Sequence, residues 1–454
     1  MAAIAIVGGG PGGLMTAHFL GQYLEGDHQI EVLEASSRVG GKIVTRSFGP
    51  SGPKYEAGAA EFYDYSALGP DPLRELIESL GLETIPMTGP AVALGNLIIP
   101  KFEDMERLCG TKASTAAQRF YDVCAAHLTP ESFYEDEPDE DNAHPLTGIT
   151  MRSFLDTIED DTARRYIEAS IHSDLAAEPH STTALYGIKN VLLDDKRYAS
   201  YYCIVGGNER LIDSLSKNIT AKIRLERRVT AAEQIKGDRW RLSIVENGKV
   251  ETRDFDIVVF ALPNYWLGSI DWRGDHLRHS VQRHLAHYDR PGHYLRVTAR
   301  FTQPFWRKQI AGSWFMHDAF GGCCVYDESS RLPTKDSSAV LSWLIAGTDA
   351  MAHASLDNQT LISRAVASLP ETMVNAEGQF IEGHVNRWIG TVNALPGGAT
   401  SLPMTLRHQP DQERLAGLYF VGDYMHDTTL NGALDSAEYV AGYISVALAE
   451  GQSA

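Results

Sequence analysis

Ala3-Ile4-Ala5-Ile6-Val7-Gly8-Gly9-Gly10-Pro11-Gly12-Gly13-Leu14 stands at the head of the chain, and Ile30-Glu31-Val32-Leu33-Glu34 follows it. The apolar, β-branched run from Ala3 to Val7 reads as a buried strand. Gly8, Gly10 and Gly13 supply a G-x-G-x-x-G turn, and Leu14 to Leu20 continue with helical periodicity. A second strand, Ile30 to Leu33, ends at Glu34, twenty-one residues past Gly13. Glycines here let the backbone turn sharply and approach a pyrophosphate, which then rests at a helix N-terminus. Glu34 is placed to accept hydrogen bonds from ribose hydroxyls. Strand, turn, helix, strand and acid in that order predict a dinucleotide-binding unit. A glycine-rich turn without a ligand would leave the acid unexplained.

Arg38-Val39-Gly40-Gly41-Lys42 continues directly from that acid. A plain NAD domain has no need of such a segment, whereas a second glycine pair beside an arginine suits the long arm of FAD. Further blocks follow: Gly58-Ala59, Val205-Gly206-Gly207-Asn208, Asp256 to Pro263, Pro304-Phe305-Trp306, Leu418 to Asp423, and Asn431 to Ala437. In these residues and their order the chain resembles the flavin-containing amine oxidase family, which includes phytoene-type desaturases and protoporphyrinogen oxidases. The resemblance spans nearly the whole sequence.

It implies an α/β fold, a Rossmann-like FAD-binding domain interleaved with a mixed α+β substrate domain. It also implies cofactor contacts from Arg38, Gly41, the basic Lys42, Gly58, Ala59 and the backbone at Val229. Asp423, after Gly422, would bind the ribityl chain, and Ala433 would bring a helix N-terminus to the flavin pyrimidine edge. Three positions depart from the family pattern. Arg296 falls where family oxidases carry a lysine. It would stabilise a reduced anionic flavin or bind an anionic group, unless it is an arginine on a strand's solvent face. Glu61 falls where amino-acid oxidases carry a carboxylate-clamping arginine. It suits a cationic amine or a general base, or else is a rim glutamate paired with a lysine. The aromatic cage has Thr429 at one position and no aromatic residue near Gly397 to Thr400 at the other. Ala399 or a neighbour replaces the cysteine that links flavin covalently in some relatives, so a non-covalent FAD is expected. Trp388 could supply one cage wall or belong to the core. His293, His426 and Asp427 are further candidates near the ring.

At 454 residues the chain exceeds one core. The expected division gives residues 1–90, 201–274 and 380–454 to the cofactor domain, and 91–200 and 275–379 to the substrate domain. Residues 91–200 read as mainly helical, with amphipathic stretches at Ser114 to His127 and Met151 to Ser170. A net charge of -19 argues against nucleic acid or an anionic membrane as partner. The acidic run Glu135 to Asp141 reads as a solvated loop. Five cysteines without metal spacing fit a reducing cytoplasm. No segment has the length of a membrane span.

The resulting expectation is oxidation of a small amine by hydride transfer to FAD, with molecular oxygen or another acceptor regenerating the flavin. Two alternatives stay open. One is a desaturase or dehydrogenase acting on C–C bonds of a tailoring intermediate; the other is a flavin-bound protein without net redox turnover. A homodimer is left open too.

Overall fold

The computed structural model describes residues 1–451 except 68, 135–143, 332–338, 374–375, 396 and 399–401. The acidic run at 135–141, and Ala399 and Thr400, therefore lie outside the described residues.

Ala3–Val7 forms the centre of a five-stranded parallel sheet, ordered Lys222–Arg224, Gln29–Leu33, Ala3–Val7, Ile257–Phe260, Leu418–Phe420. Side chains alternate between its faces, and both faces are covered. Ile4, Ile6, Val32, Ile257, Val259 and Tyr419 pack under helices Pro11–Tyr23 and Leu430–Ala449. Ala5, Val7, Leu33, Val258, Phe260 and Leu418 pack against Trp240, Leu242 and Ile244 of an antiparallel sheet. That second sheet holds the hairpin Arg239–Glu246 and Lys249–Phe255, turned at Asn247 (φ 49°) and Gly248 (φ 75°). Two consecutive left-handed residues are what a two-residue turn between right-twisted strands requires. Helix Pro72–Ser79 lays Leu73, Leu76 and Ile77 on one buried face. Asp71 caps it by accepting from Arg74 N at 2.9 Å, a cap worth about 1 kcal/mol.

A seven-stranded sheet carries the other half, ordered Phe380–Asn393, Pro291–Phe301, Ala339–Ala346, Cys323–Asp327, Trp314–His317, Ala91–Leu94, Leu97–Ile99. Phe380–Asn393 pairs with Pro291–Phe301 along its length, although the sequence division at 380 assigns it to the cofactor side. Ala91–Leu94 and Leu97–Ile99 are strands at the start of the stretch expected to be helical. The rest of that stretch, among the described residues, is mainly helical, but Met151–Ser170 is not one helix. It divides into Met151–Leu155 and Asp161–Leu175, because Asp160 accepts from Thr162 N and Ala163 N, both at 3.0 Å, and restarts the chain as a cap. Among the described residues no helix is long and apolar enough to cross a membrane, and no cluster could hold a metal ion.

Candidate active site

The glycine turn follows Val7 at the edge of the parallel sheet. Gly8 has φ +111°, and a Cβ there would lie 2.4 Å from the Ala261 carbonyl oxygen. A Cβ on Gly13 would lie 2.0 Å from the Gly8 oxygen. These two are glycine because backbone meets backbone. At Gly10 the nearest atom to such a Cβ would be Gly41 Cα at 4.0 Å. Gly10, the cap of helix Pro11–Tyr23, thus borders a gap faced by the second glycine pair.

Glu34 leans over this loop. Its Oε2 accepts from Gly9 N at 2.7 Å, and its Oε1 accepts from Ser36 N at 2.8 Å and Ser36 Oγ at 2.7 Å. A carboxylate has about four acceptor positions, so capacity remains for a ribose hydroxyl. Arg38 donates to the carbonyls of Val39 (2.9 Å) and Gly41 (2.7 Å), bracing the segment. Lys42 Nζ donates to Thr391 O at 2.7 Å and pairs with Asp423 Oδ2 at 3.4 Å, both side chains partly exposed. Ala59 N donates to Lys42 O at 3.0 Å, and Gly58 leaves no room for a Cβ against that same carbonyl. Gly422 N donates to Ser436 Oγ at 3.0 Å, fixing the turn into Asp423. Val229 is buried at a bulge in Arg228–Ile235. Ala433 lies in the first turn of Leu430–Ala449, capped by the Thr429 hydroxyl. The gap at Gly10, the spare acceptor on Glu34 and the opposed charges of Lys42 and Asp423 fit an FAD.

A cavity of about 290 Å³ lies beside Thr429 and Asn431. Tyr63, Tyr65, Tyr186 and Tyr294 line it, as do the carboxylates of Glu61, Asp174, Asp427 and Asp435. Lys189 is the lysine that lines it among the described residues, and that ammonium sits 5.3 Å from the Phe133 ring centre. His426, Asp427 and Thr429 are all lining residues. A small inner chamber continues past Glu61 and Asp174 to Asp194, Tyr201 and Tyr326. Burial pushes the Glu61 carboxyl above its ordinary value, and Arg296 opposes the shift. Burial, then the charges of Asp194 and Glu61, push Asp174 well above the usual range. Gathering acids out of water makes each reluctant to ionise unless a cation joins them.

Arg296 is 1% exposed, with neighbouring strands on both sides, so it is no solvent-face residue. It donates to Glu328 Oε1 at 2.9 Å and Gly58 O at 3.3 Å, while its Nε has no partner. Glu61 Oε1 accepts from Tyr326 OH at 3.0 Å, and among the described residues its Oε2 has no partner and no lysine pairs with it. Trp388 donates to Ala57 O at 2.7 Å and packs against Val44, Phe48, Tyr55, Ala57 and Val340, away from the cavity lining. His293 Nδ1 accepts from Gly390 N at 3.0 Å and is likewise not a lining residue. Sequence reading missed Asp174, the tyrosines, Tyr326, Glu328 and Arg331. Only Asp174, an acid following Ile171 and preceding Leu175 near a helix end, left a trace, since a charge among apolar neighbours asks for a partner.

The model of the flavin-containing amine oxidoreductase family matches residues 11–445. The chain is 22% identical, over 96% of its length and 96% of the other's, to the flavin-dependent L-tryptophan oxidase RebO of Lentzea aerocolonigenes. Its fold is similar to that of cyclohexylamine oxidase from Brevibacterium oxydans, with TM-score 0.77, 19% identity and 99% of both chains covered. Putrescine oxidase is similar at TM-score 0.71, with 18% identity, 98% of this chain and 99% of that one covered.

Proposed function

Because the chain belongs to the flavin-containing amine oxidoreductase family and is a flavin-dependent oxidoreductase, we propose that it binds FAD non-covalently and oxidises a small amine. An FAD held in the cradle would supply the hydride-accepting chemistry at the carbon bearing the nitrogen, with molecular oxygen or another acceptor taking the electrons. Glu34 would hold the adenosine ribose, the gap between Gly10 and Gly41 the pyrophosphate, and Asp423 with Lys42 the ribityl arm. The first turn of Leu430–Ala449, with Ala433, would stabilise negative charge on the reduced ring. Non-covalent attachment is supported by the absence of any cysteine after Cys324 in the sequence. The five unpaired thiols suit a reducing compartment such as the cytoplasm.

The observation that carries the amine reading is the orphaned Oε2 of Glu61 in a cavity with four carboxylates. An alkylammonium entering there would supply the missing donor and relieve the repulsion among the acids. Glu61 would take the ammonium proton, since the neutral amine is the form that gives up hydride, and a raised pKa suits a general base. An α-amino acid would need a cationic clamp for its carboxylate. Among the described residues no arginine lines the cavity, and Arg296 and Arg331 both turn to Glu328.

Anaerobic mixing of the flavin-loaded protein with primary amines, amino acids and polyenes tests the reading. Amines bleach the flavin and amino acids do so far more slowly. Bleaching by a polyene and not by amines would replace it with a C–C desaturase. A flavin that photoreduces and reoxidises in air yet responds to none of these classes would turn attention to another donor. A flavin that does neither would point to a role without turnover.

A further inference from the structure

Arg296, Tyr326, Glu328, Arg331 and Glu61 come from separated stretches and form one chain of contacts behind the cavity wall. Glu328, 2% exposed, accepts from Arg296 Nη2 at 2.9 Å, Arg331 Nε at 2.6 Å and Glu56 N at 3.1 Å. One carboxylate against two guanidiniums leaves a surplus positive charge, and both arginines are at least as buried as 5% exposure implies. Both also face the Tyr326 ring, with guanidinium carbons 4.5 Å and 5.7 Å from its centre. The Tyr326 hydroxyl donates to Glu61 Oε1 at 3.0 Å, and Glu61 Oε2 is left without a partner.

We infer that Tyr326 is a positioning residue. It transmits the surplus charge of the Arg296–Glu328–Arg331 cluster to Glu61, holding that carboxylate ionised with Oε2 as the acceptor for a cationic ligand. The inference deepens the proposed function and rests on its assignment of Glu61. Cations beside a phenol ring are attracted to its face and strengthen its hydroxyl as a donor. Among the other groups facing Glu61, Asp194 of the inner chamber, pushed up to about 6 chiefly by burial, brings a competing charge only above that pH. Tyr63, Tyr201, Tyr294 and Cys324 are kept protonated by burial, and so is Asp174 on helix Asp161–Leu175. Glu56, pushed up to about 7 chiefly by burial, stays largely neutral below that pH and begins to cancel the surplus above it. Below about pH 6 the cluster is thus the dominant charge acting on Glu61.

An infrared pH titration of the flavin-loaded protein tests this without any substrate. The signal is the protonated-carboxyl band that Glu61→Gln removes. Tyr326→Phe deletes a hydrogen bond to the ionised form, so the midpoint of that band moves up by about one pH unit, roughly tenfold in proton affinity. Arg296→Gln moves it up further, and Glu328→Gln moves it down, because the surplus charge grows. If either charge variant fails to fold, the Tyr326→Phe titration decides alone. An unchanged or lowered midpoint in Tyr326→Phe overturns the inference, as does a wild-type spectrum in which Glu61→Gln removes no titrating band. Shifts as stated in a protein whose flavin no amine bleaches would leave the coupling standing and remove the amine reading.

Discussion

Gly9 and Glu34 meet across 25 positions of sequence, whereas Glu61 reaches Tyr326 across 265 and Arg296 reaches Gly58 across 238. The first pair belongs to the cofactor cradle and the others to the cavity. In the cradle the controlling forces are steric and local, since a Cβ at Gly8 or Gly13 has nowhere to go. At the cavity they are electrostatic, and each group's state depends on charges brought in by distant strands. A local rule is tolerant of the rest of the sequence; a charge balance is not. The two regions should therefore fail differently when perturbed.

Gly13→Ala gives the largest expected effect. Its Cβ would press into the Gly8 carbonyl at 2.0 Å, and neither backbone segment can give way cheaply. The cost is about 3 kcal/mol, and the protein is expected to lose its flavin. Absorbance of the purified protein checks it, and a fully yellow Gly13→Ala would remove the steric account of the cradle. Glu61→Gln comes next and strikes the other region. Amine oxidation, read as kcat/KM, falls by roughly 10²-fold or more, with flavin content unchanged. Lost flavin with normal turnover per remaining flavin would mean that cavity and cradle are not separable.

Between the two stands Glu34→Ala. Three donors already occupy the Glu34 carboxylate, so the residue could serve its own loop as much as a ligand. Loss of a hydrogen bond to a charged acceptor weakens FAD binding by about 2 kcal/mol, or roughly thirtyfold in Kd. Fluorescence titration of the apoprotein with FAD measures it. Unchanged affinity beside a lowered melting temperature would make Glu34 a loop residue only.

The same contrast explains what the sequence could convey. The strands Ala3–Val7 and Gln29–Leu33 and the helix after the glycine turn were legible because periodicity and turn chemistry are local signals. The break before Asp161 was missed because apolar spacing on both sides is helical, and only the Asp160 cap marks the restart. Arg296 was marked because it falls where family oxidases carry a lysine, but its burial against Glu328 depends on a turn 32 positions away. Asp174 and the four lining tyrosines gave little sign, since an acid or a phenol, whether in a helix like Asp174 and Tyr186 or in a strand like Tyr63 and Tyr294, is ordinarily at or near the surface. What made them cavity residues is the approach of Pro291–Phe301 and the chain around Asp427, a tertiary fact.

The smallest expected effect follows from a charge pair at the end of the helix that carries Asp174. His172 and Glu178 approach to 3.4 Å where helix Asp161–Leu175 turns toward the cavity. The hydrogen bond and charge of His172 hold Glu178 at about 2, below its ordinary 4.5. Burial pushes His172 down, but its contacts with Glu178 outweigh that, and the net shift is above 6.5. A depressed carboxylate contributes stability that is complete above 4.5 and is lost as pH falls through about 2. A raised histidine contributes stability that is complete below 6.5 and is lost as pH rises through its higher folded value. The pair is therefore at full strength only between pH 4.5 and 6.5. Glu178→Gln should lower stability by about 1 kcal/mol inside that window, because Glu178 keeps some solvent contact, and by less on either side. Melting curves of both proteins across the acid and neutral range read the difference. A gap that stayed constant with pH would mean that packing, not charge, holds this helix end, and would bring it under the same local rule as the cradle.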